Sequence, residues 1–279
     1  MGIVYFAEKS NGECASIKIL HPKFTQDREL VMRFLQEARL VQKLDHPNII
    51  KLYNYGFDKD LGYFLTFEYL QGETLLQRSA HQTPLSPRFA ADLVFQMLGG
   101  LSVAHTMNVI HCDLKPSNVF LSGFPSDPQV KLLDFGIAKS VAKDNVSITK
   151  TGVLLGTPEY MAPEQSFGRK QIDGRTDLYA VGVILFELLT GRRPFLARNA
   201  SEMLVKHYRE RPPIPSALLP GLPHEMDELI LACLEKEPRH RPQSAQELAR
   251  WLRALYHLLP ETPQRQLPKT QDTEVMSGP

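Results

Sequence analysis

The 279-residue chain is long enough to bury a substantial core as one large domain or two lobes, and 43% hydrophobic against 23% charged residues excludes a disordered or fibrous protein. Lys and Arg number 32 against 31 Asp and Glu, and the formal charge of +1 gives no footing for nucleic acid or an anionic membrane as main partner. Cys14, Cys112 and Cys233 lie far apart with no Cys-x-x-Cys pair, which points to a reducing, cytoplasmic setting. The longest apolar run, Leu178 to Leu189, contains Gly182 and Glu187 and falls short of the roughly 20 residues of a membrane span. Met1 to Glu8 lack the layout of a secretion signal, so neither a span nor a signal is expected.

From Met1 to Glu68 the sequence predicts short strands at Ile3–Ala7, Ala15–Leu20, Ile49–Gly56 and Tyr63–Phe67, broken by turn signals such as Asn11-Gly12. One helix interrupts them, from about Asp27 to Leu44, with Leu30, Phe34, Glu37, Ala38 and Val41 three and four residues apart. Glu37 thus shares an apolar face, where a charge needs a partner. After Gln71-Gly72-Glu73 the pattern turns helical, and Phe89, Leu93, Met97, Leu101 and Ala104 form one stripe over about Ser86–Asn108. Further helices are predicted at Arg175–Thr190, Ser201–Glu210, His224–Glu235 and Ser244–Leu258, the last opened by a Ser244/Glu247 capping box. From Pro260 onward, four prolines and few periodic apolar residues predict a flexible tail.

The chemistry concentrates in two places. His111-Cys112-Asp113-Leu114-Lys115-Pro116-Ser117-Asn118 crowds polar groups between Val109-Ile110 and Val119-Phe120-Leu121, as a loop between two short strands would. The apolar run Val130-Lys131-Leu132-Leu133 then ends in Asp134-Phe135-Gly136. Either acid alone would ordinarily cap a turn. Together they suit phosphoryl transfer, in which Asp and Asn oxygens hold divalent cations against phosphate oxygens and another Asp orients the attacking hydroxyl.

These residues resemble the motifs of the eukaryotic-type Ser/Thr protein kinase family, over nearly all of Gly2 to Leu258. The resemblance implies an α+β, two-lobed fold: an N-terminal lobe over 1–69, a catalytic and substrate-binding lobe over 70–258, and a tail over 259–279. It implies Asp113 as catalytic base, Lys115 as neutraliser of the transferring phosphate, Asn118 and Asp134 as magnesium ligands, and His111 as a brace. Lys18, closing Ala15-Ser16-Ile17-Lys18, would face the ATP phosphates and pair with Glu37. Backbone groups of Glu68 and Leu70 would bind adenine beside a gatekeeper Phe67. Gly156-Thr157-Pro158-Glu159-Tyr160-Met161-Ala162-Pro163-Glu164 resembles the end of an activation segment, with Thr157 near Asp113 and Glu164 paired to Arg241. Asp177 matches the buried helix acid that anchors the catalytic loop. Arg33 to Ala38, Leu44 to Ile50 and Glu237 to Pro242 look most like the bacterial members.

The sequence also departs from the family. Of Gly-x-Gly-x-x-Gly-x-Val only the end remains, with Gly2 and Val4 as the nucleotide-facing residues, so weaker ATP positioning and a raw sheet edge are expected. A start placed inside a longer reading frame explains this more economically than natural loss. Cys112 stands where many members have an arginine for a phosphorylated loop residue, and a buried, inert thiol is expected there. Thr149 and Thr151 are candidate regulatory phosphorylation positions. Ser16 replaces an alanine that touches adenine.

The expected function is transfer of the ATP γ-phosphoryl group, with magnesium, to Ser or Thr hydroxyls of protein substrates. The alternatives are a truncated or inactive pseudokinase acting as a binding scaffold, which the intact Lys18, Asp113, Asn118 and Asp134 oppose, and a small-molecule phosphotransferase, which the Gly156 to Glu164 stretch disfavours.

Overall fold

Strands β1 (Gly2–Glu8), β2 (Cys14–Leu20), β3 (Leu52–Asp58) and β4 (Gly62–Glu68) form an antiparallel sheet in the order β1-β2-β4-β3. The computed structural model describes residues 2–135, 158–166 and 172–261, the side chains of Arg33 and Glu37 excepted. Among these residues β1 is an edge strand, as expected, and Ile3, Val4, Tyr5 and Phe6 along it are exposed. Helix α1 (Arg28–Val41) joins β2 to β3. It opens on Asp27, whose carboxylate accepts from the Glu29 and Leu30 amides at 3.0 and 3.1 Å. Val31, Phe34, Ala38 and Val41 are its buried residues against the sheet, with Leu30 only half-buried.

The strand expected from Ile49 starts later, at Leu52. Residues 48–50 pair instead with the far end of the chain's second sheet: Ile50 N donates to Leu132 O at 3.0 Å and Leu132 N to Asn48 O at 2.8 Å. The Asn48 amide adds bonds to Val130 O at 2.9 Å and Gln96 Oε1 at 3.0 Å. This segment fastens the small sheet to the helical region.

The second sheet is β5 (Gly72–Thr74), β6 (Val119–Phe124) and β7 (Asp127–Leu132), all antiparallel and in that order. Val109-Ile110, expected as a strand, forms none; Val109 N instead donates to Ala104 O at 2.9 Å and finishes the preceding helix. The helices are α2 (Leu75–His81), α3 (Pro87–Thr106), the single turn α4 (Pro163–Ser166), α5 (Gly174–Thr190), α6 (Ala200–Arg209), α7 (His224–Cys233) and α8 (Ala245–Leu255).

Sequence periodicity missed α2, yet its start carries a complete capping box: Gln77 N donates to Thr74 Oγ1 at 3.2 Å and Thr74 N to Gln77 Oε1 at 2.8 Å. At α8 the expected box is half formed. Glu247 N donates to Ser244 Oγ at 3.1 Å, but Glu247 Oε2 accepts from Gln243 N, one residue earlier, at 2.7 Å.

Apolar nearly all round, α5 is the buried axis of the helical region, packed by α3, α7 and α8. Gly182 lets α7 approach, since a Cβ there would lie 2.6 Å from Cys233 Cβ. The tail expected from residue 259 begins packed rather than loose: Leu259 is buried, its carbonyl accepts from Arg88 Nε at 2.8 Å, and Arg88 pairs with Glu261 at 2.6 Å. Among the described residues no helix is long and apolar enough to cross a membrane.

Candidate active site

Strand register composes one wall of the site. Val4 pairs with Lys18 and Lys18 with Leu65; two residues along, Phe6 pairs with Ser16 and Ser16 with Phe67. Alternation puts all six on one face of the sheet. Gly2 pairs with Leu20 at the strand's start, and a Cβ there would lie 2.5 Å from Ile19 O, so the pairing itself requires glycine. Lys18 extends its ammonium across to the other sheet, where Nζ meets Asp134 Oδ1 at 2.5 Å. Phe67 and Leu65, with Ala38 and Val41 of α1, line a cavity that also touches Asp134 and Phe135. Glu37 lies in α1, and its expected pairing with Lys18 falls outside the described side chains.

The opposite wall is the loop from His111 to Asn118, held from below by α5. Asp177, 1% exposed, accepts from the His111 amide at 2.8 Å and the Cys112 amide at 2.9 Å, and its Oδ2 meets His105 Nε2 at 2.8 Å. The role expected of Asp177 as anchor is thus visible in its bonds. His105 went unnoticed in the sequence because its partner lies on a different helix.

His111 is fully buried against the Phe135 ring, and burial lowers its pKa and keeps it neutral. Its Nε2 lies 2.8 Å from Leu133 O, which fixes the proton there and leaves Nδ1 to accept from Asp113 N at 3.3 Å. Cys112 and Asp134 take φ of 60° and 45°, a left-handed conformation that costs about 1 kcal/mol or more for a residue with a side chain. Such turns persist where surrounding bonds over-determine them, as the Asp177 carboxylate does at Cys112.

Within this frame the polar groups converge on Asp113. Lys115 Nζ meets Asp113 Oδ2 at 2.9 Å, and Asn118 Nδ2 donates to Asp113 O at 2.8 Å and Oδ2 at 3.3 Å. Leu133 N donates to Asn118 O at 2.9 Å, so Asp134 follows directly on a residue tied to both ends of the loop. Asn118 spends its amide hydrogens on Asp113, which leaves its side-chain oxygen as the acceptor for anything beyond.

Glu68 ends β4, its amide donating to Lys51 O at 3.0 Å, and Leu70 lies in the link to β5. The Glu68 side chain does more than the sequence suggested: Oε1 accepts from Lys51 N at 2.8 Å and from the buried Lys131 Nζ at 2.6 Å, joining the two sheets. Farther out, Glu164 and Arg241 form the expected pair, two parallel bonds of 2.8 Å with neither side chain meaningfully exposed. Arg241 also donates to the carbonyls of Glu235, Arg175 and Lys236 and lies 4.9 Å from the Tyr179 ring centroid. Thr149, Thr151 and Thr157 lie outside the described residues.

The family model described as "Protein kinase domain" matches residues 1–252. The chain is 40% identical over 261 residues to the serine/threonine-protein kinase pkn3 of Myxococcus xanthus, an alignment covering 91% of this chain and 48% of that protein. Against the serine/threonine-protein kinase PrkC of Bacillus subtilis it is 35% identical, covering 89% of this chain and 37% of the relative. The chain therefore spans half or less of the length of these curated relatives. It is also similar to the crystal structure of the Mycobacterium tuberculosis PknI kinase domain, with a TM-score of 0.69 at 27% identity and 91% of each chain covered.

Proposed function

The chain belongs to the protein kinase domain family, and from that premise we propose that it transfers the γ-phosphoryl group of ATP to serine or threonine hydroxyls of proteins, with magnesium. The observation that carries the proposal is the convergence of Lys18 and Asp134 on one side and Asp113, Lys115 and Asn118 on the other. Residues 1–69 would cover the nucleotide and residues 70–258 would supply the catalytic loop and the protein-substrate surface.

In this mechanism the nucleotide's adenine lies against the face bearing Val4, Ser16 and Phe67, near the backbone of Glu68 and Leu70. Lys18 moves from Asp134 onto phosphate oxygens, since both are anionic partners for the same ammonium. The donor set fits magnesium: one half-exposed carboxylate, Asp134, and one amide oxygen, Asn118, are hard ligands that leave places for phosphate and water. When bound, the ion neutralises phosphate charge. Asp113 accepts the proton of the attacking hydroxyl, while Lys115, already on its Oδ2, offsets charge on the transferring group. An inactive scaffold would have no need to keep these five polar side chains together.

The deciding experiment incubates the purified chain with labelled ATP and a protein rich in Ser and Thr, with and without magnesium. Magnesium-dependent phosphoserine or phosphothreonine is expected, reduced at least about a hundredfold in Asp113→Asn. No transfer by the unaltered chain would overturn the proposal.

A further inference from the structure

The peptide unit joining Cys112 to Asp113 is held at both ends. On its nitrogen side, Asp113 N donates to His111 O at 2.8 Å and toward His111 Nδ1 at 3.3 Å. On its carbonyl side the partner comes from a distant part of the chain: Gln165 Nε2 donates to Cys112 O at 2.9 Å. The other half of the same amide, Oε1, accepts from the Ala162 backbone N–H at 2.9 Å. These partners fix which way the amide faces, because a carbonyl can only accept and a backbone N–H can only donate. Both partner residues are buried, Ala162 completely, so replacing the amide costs polar groups that water does not reach their bonds.

Position strengthens the case. Gln165 follows Glu164, whose pairing with Arg241 fixes this segment to the helical region. Cys112 has φ 60°, and the turn it makes aims Asp113. A side chain bridging from Ala162 to Cys112 therefore transmits the placement of one segment to the other.

We propose that Gln165 is a positioning residue for phosphoryl transfer: by joining Ala162 N to Cys112 O it sets the Asp113 carboxylate relative to the Tyr160–Ala162 segment, where the kinase function proposed above would seat the protein substrate. The inference rests on the kinase function proposed above and deepens it. Among common side chains, an amide of this length supplies both the donor and the acceptor. Glu keeps the acceptor for Ala162 but turns a second oxygen on the Cys112 carbonyl, and Leu removes both arms.

The test compares Gln165→Glu and Gln165→Leu with the unaltered chain, measuring kcat for a Ser/Thr peptide, KM for ATP, and nucleotide binding by titration. Rates are expressed per nucleotide-binding molecule, so partial unfolding does not imitate the effect. Both variants are expected to lose about tenfold to a hundredfold in kcat while KM for ATP stays within about twofold. Gln165→Glu isolates the Cys112 arm, because it keeps the Ala162 bond and sets an acceptor against the Cys112 carbonyl. An undiminished kcat in Gln165→Glu, with the unaltered chain active, overturns this inference alone. Absence of transfer by the unaltered chain overturns the kinase proposal and the inference with it.

Discussion

His207 sits uncharged between two partners, with Tyr179 OH 2.7 Å from Nδ1 and Glu159 O 3.0 Å from Nε2. Burial, helped by the Lys236 ammonium, pushes its pKa down from 6.5 to about 3. Burial lowers His111 in the same direction. In the unfolded chain both imidazoles gain protons as pH falls through 6.5, whereas in the folded chain they resist. For His207 the folded state therefore has its full advantage above that pH and loses it progressively toward pH 3, by up to about 1.4 kcal/mol per pH unit, and His111 adds to the loss in the same direction. Urea midpoints should fall between pH 7 and pH 5, and His207→Gln, which keeps a donor and an acceptor, should flatten that fall. Equal slopes in the two proteins would refute this assignment. At Arg241 the expected effect is larger. Arg241→Met leaves Glu164 buried without its charge partner and should cost about 3–5 kcal/mol in a denaturant titration.

Between elements, the tightest steric constraint is the crossing of α5 and α7. Gly182→Val places carbon where Cys233 Cβ already lies and should destabilise by about 1–3 kcal/mol, read as a lowered Tm with nucleotide affinity per folded molecule unchanged. A Tm within error of the unaltered chain would show that α7 yields freely. This constraint was not legible in the sequence, where Gly182 is one residue in an apolar run and Cys233 lies on another helix. The helices themselves were legible, because α3 announces itself by period, α5 by its long apolar run and α8 by Ser244. The acids at 113, 134 and 177 were legible for a related reason: each sits in a short motif whose neighbours are adjacent in sequence. What escaped notice depends on distance along the chain. Residues 48–50 look like the start of a strand until Leu132 captures their backbone, and Glu68 looks like an ordinary strand end until Lys131 reaches it. The α2 capping box is a different case, since Thr74 and Gln77 carry a local signal that periodicity alone passes over.

Across the molecule, polar contacts among the described residues that join the small sheet to the helical region include residues 48–50 on β7, the Glu68–Lys131 pair, and Lys18 on Asp134. On the mechanism proposed above, the Lys18–Asp134 contact is the one that the phosphates of a nucleotide would replace. Magnesium-ATP at about one hundred times its Kd should then stabilise the chain by about 2.7 kcal/mol. Lys18→Met should abolish most of that gain while barely changing the Tm without nucleotide, which a thermal-shift series would measure. A full ligand-induced rise in Lys18→Met would place the phosphates elsewhere.

Asp177 carries a further consequence for exchange with solvent. The amides of His111 and Cys112 belong to an irregular loop, yet their hydrogens are held by a carboxylate rooted in the most deeply buried helix. In deuterated water they should exchange with the slow amides of α5, through the same cooperative opening, and not with neighbouring loop residues. The segment that, on the proposed mechanism, presents Asp113 to a reactant would then be as long-lived as the core beneath it.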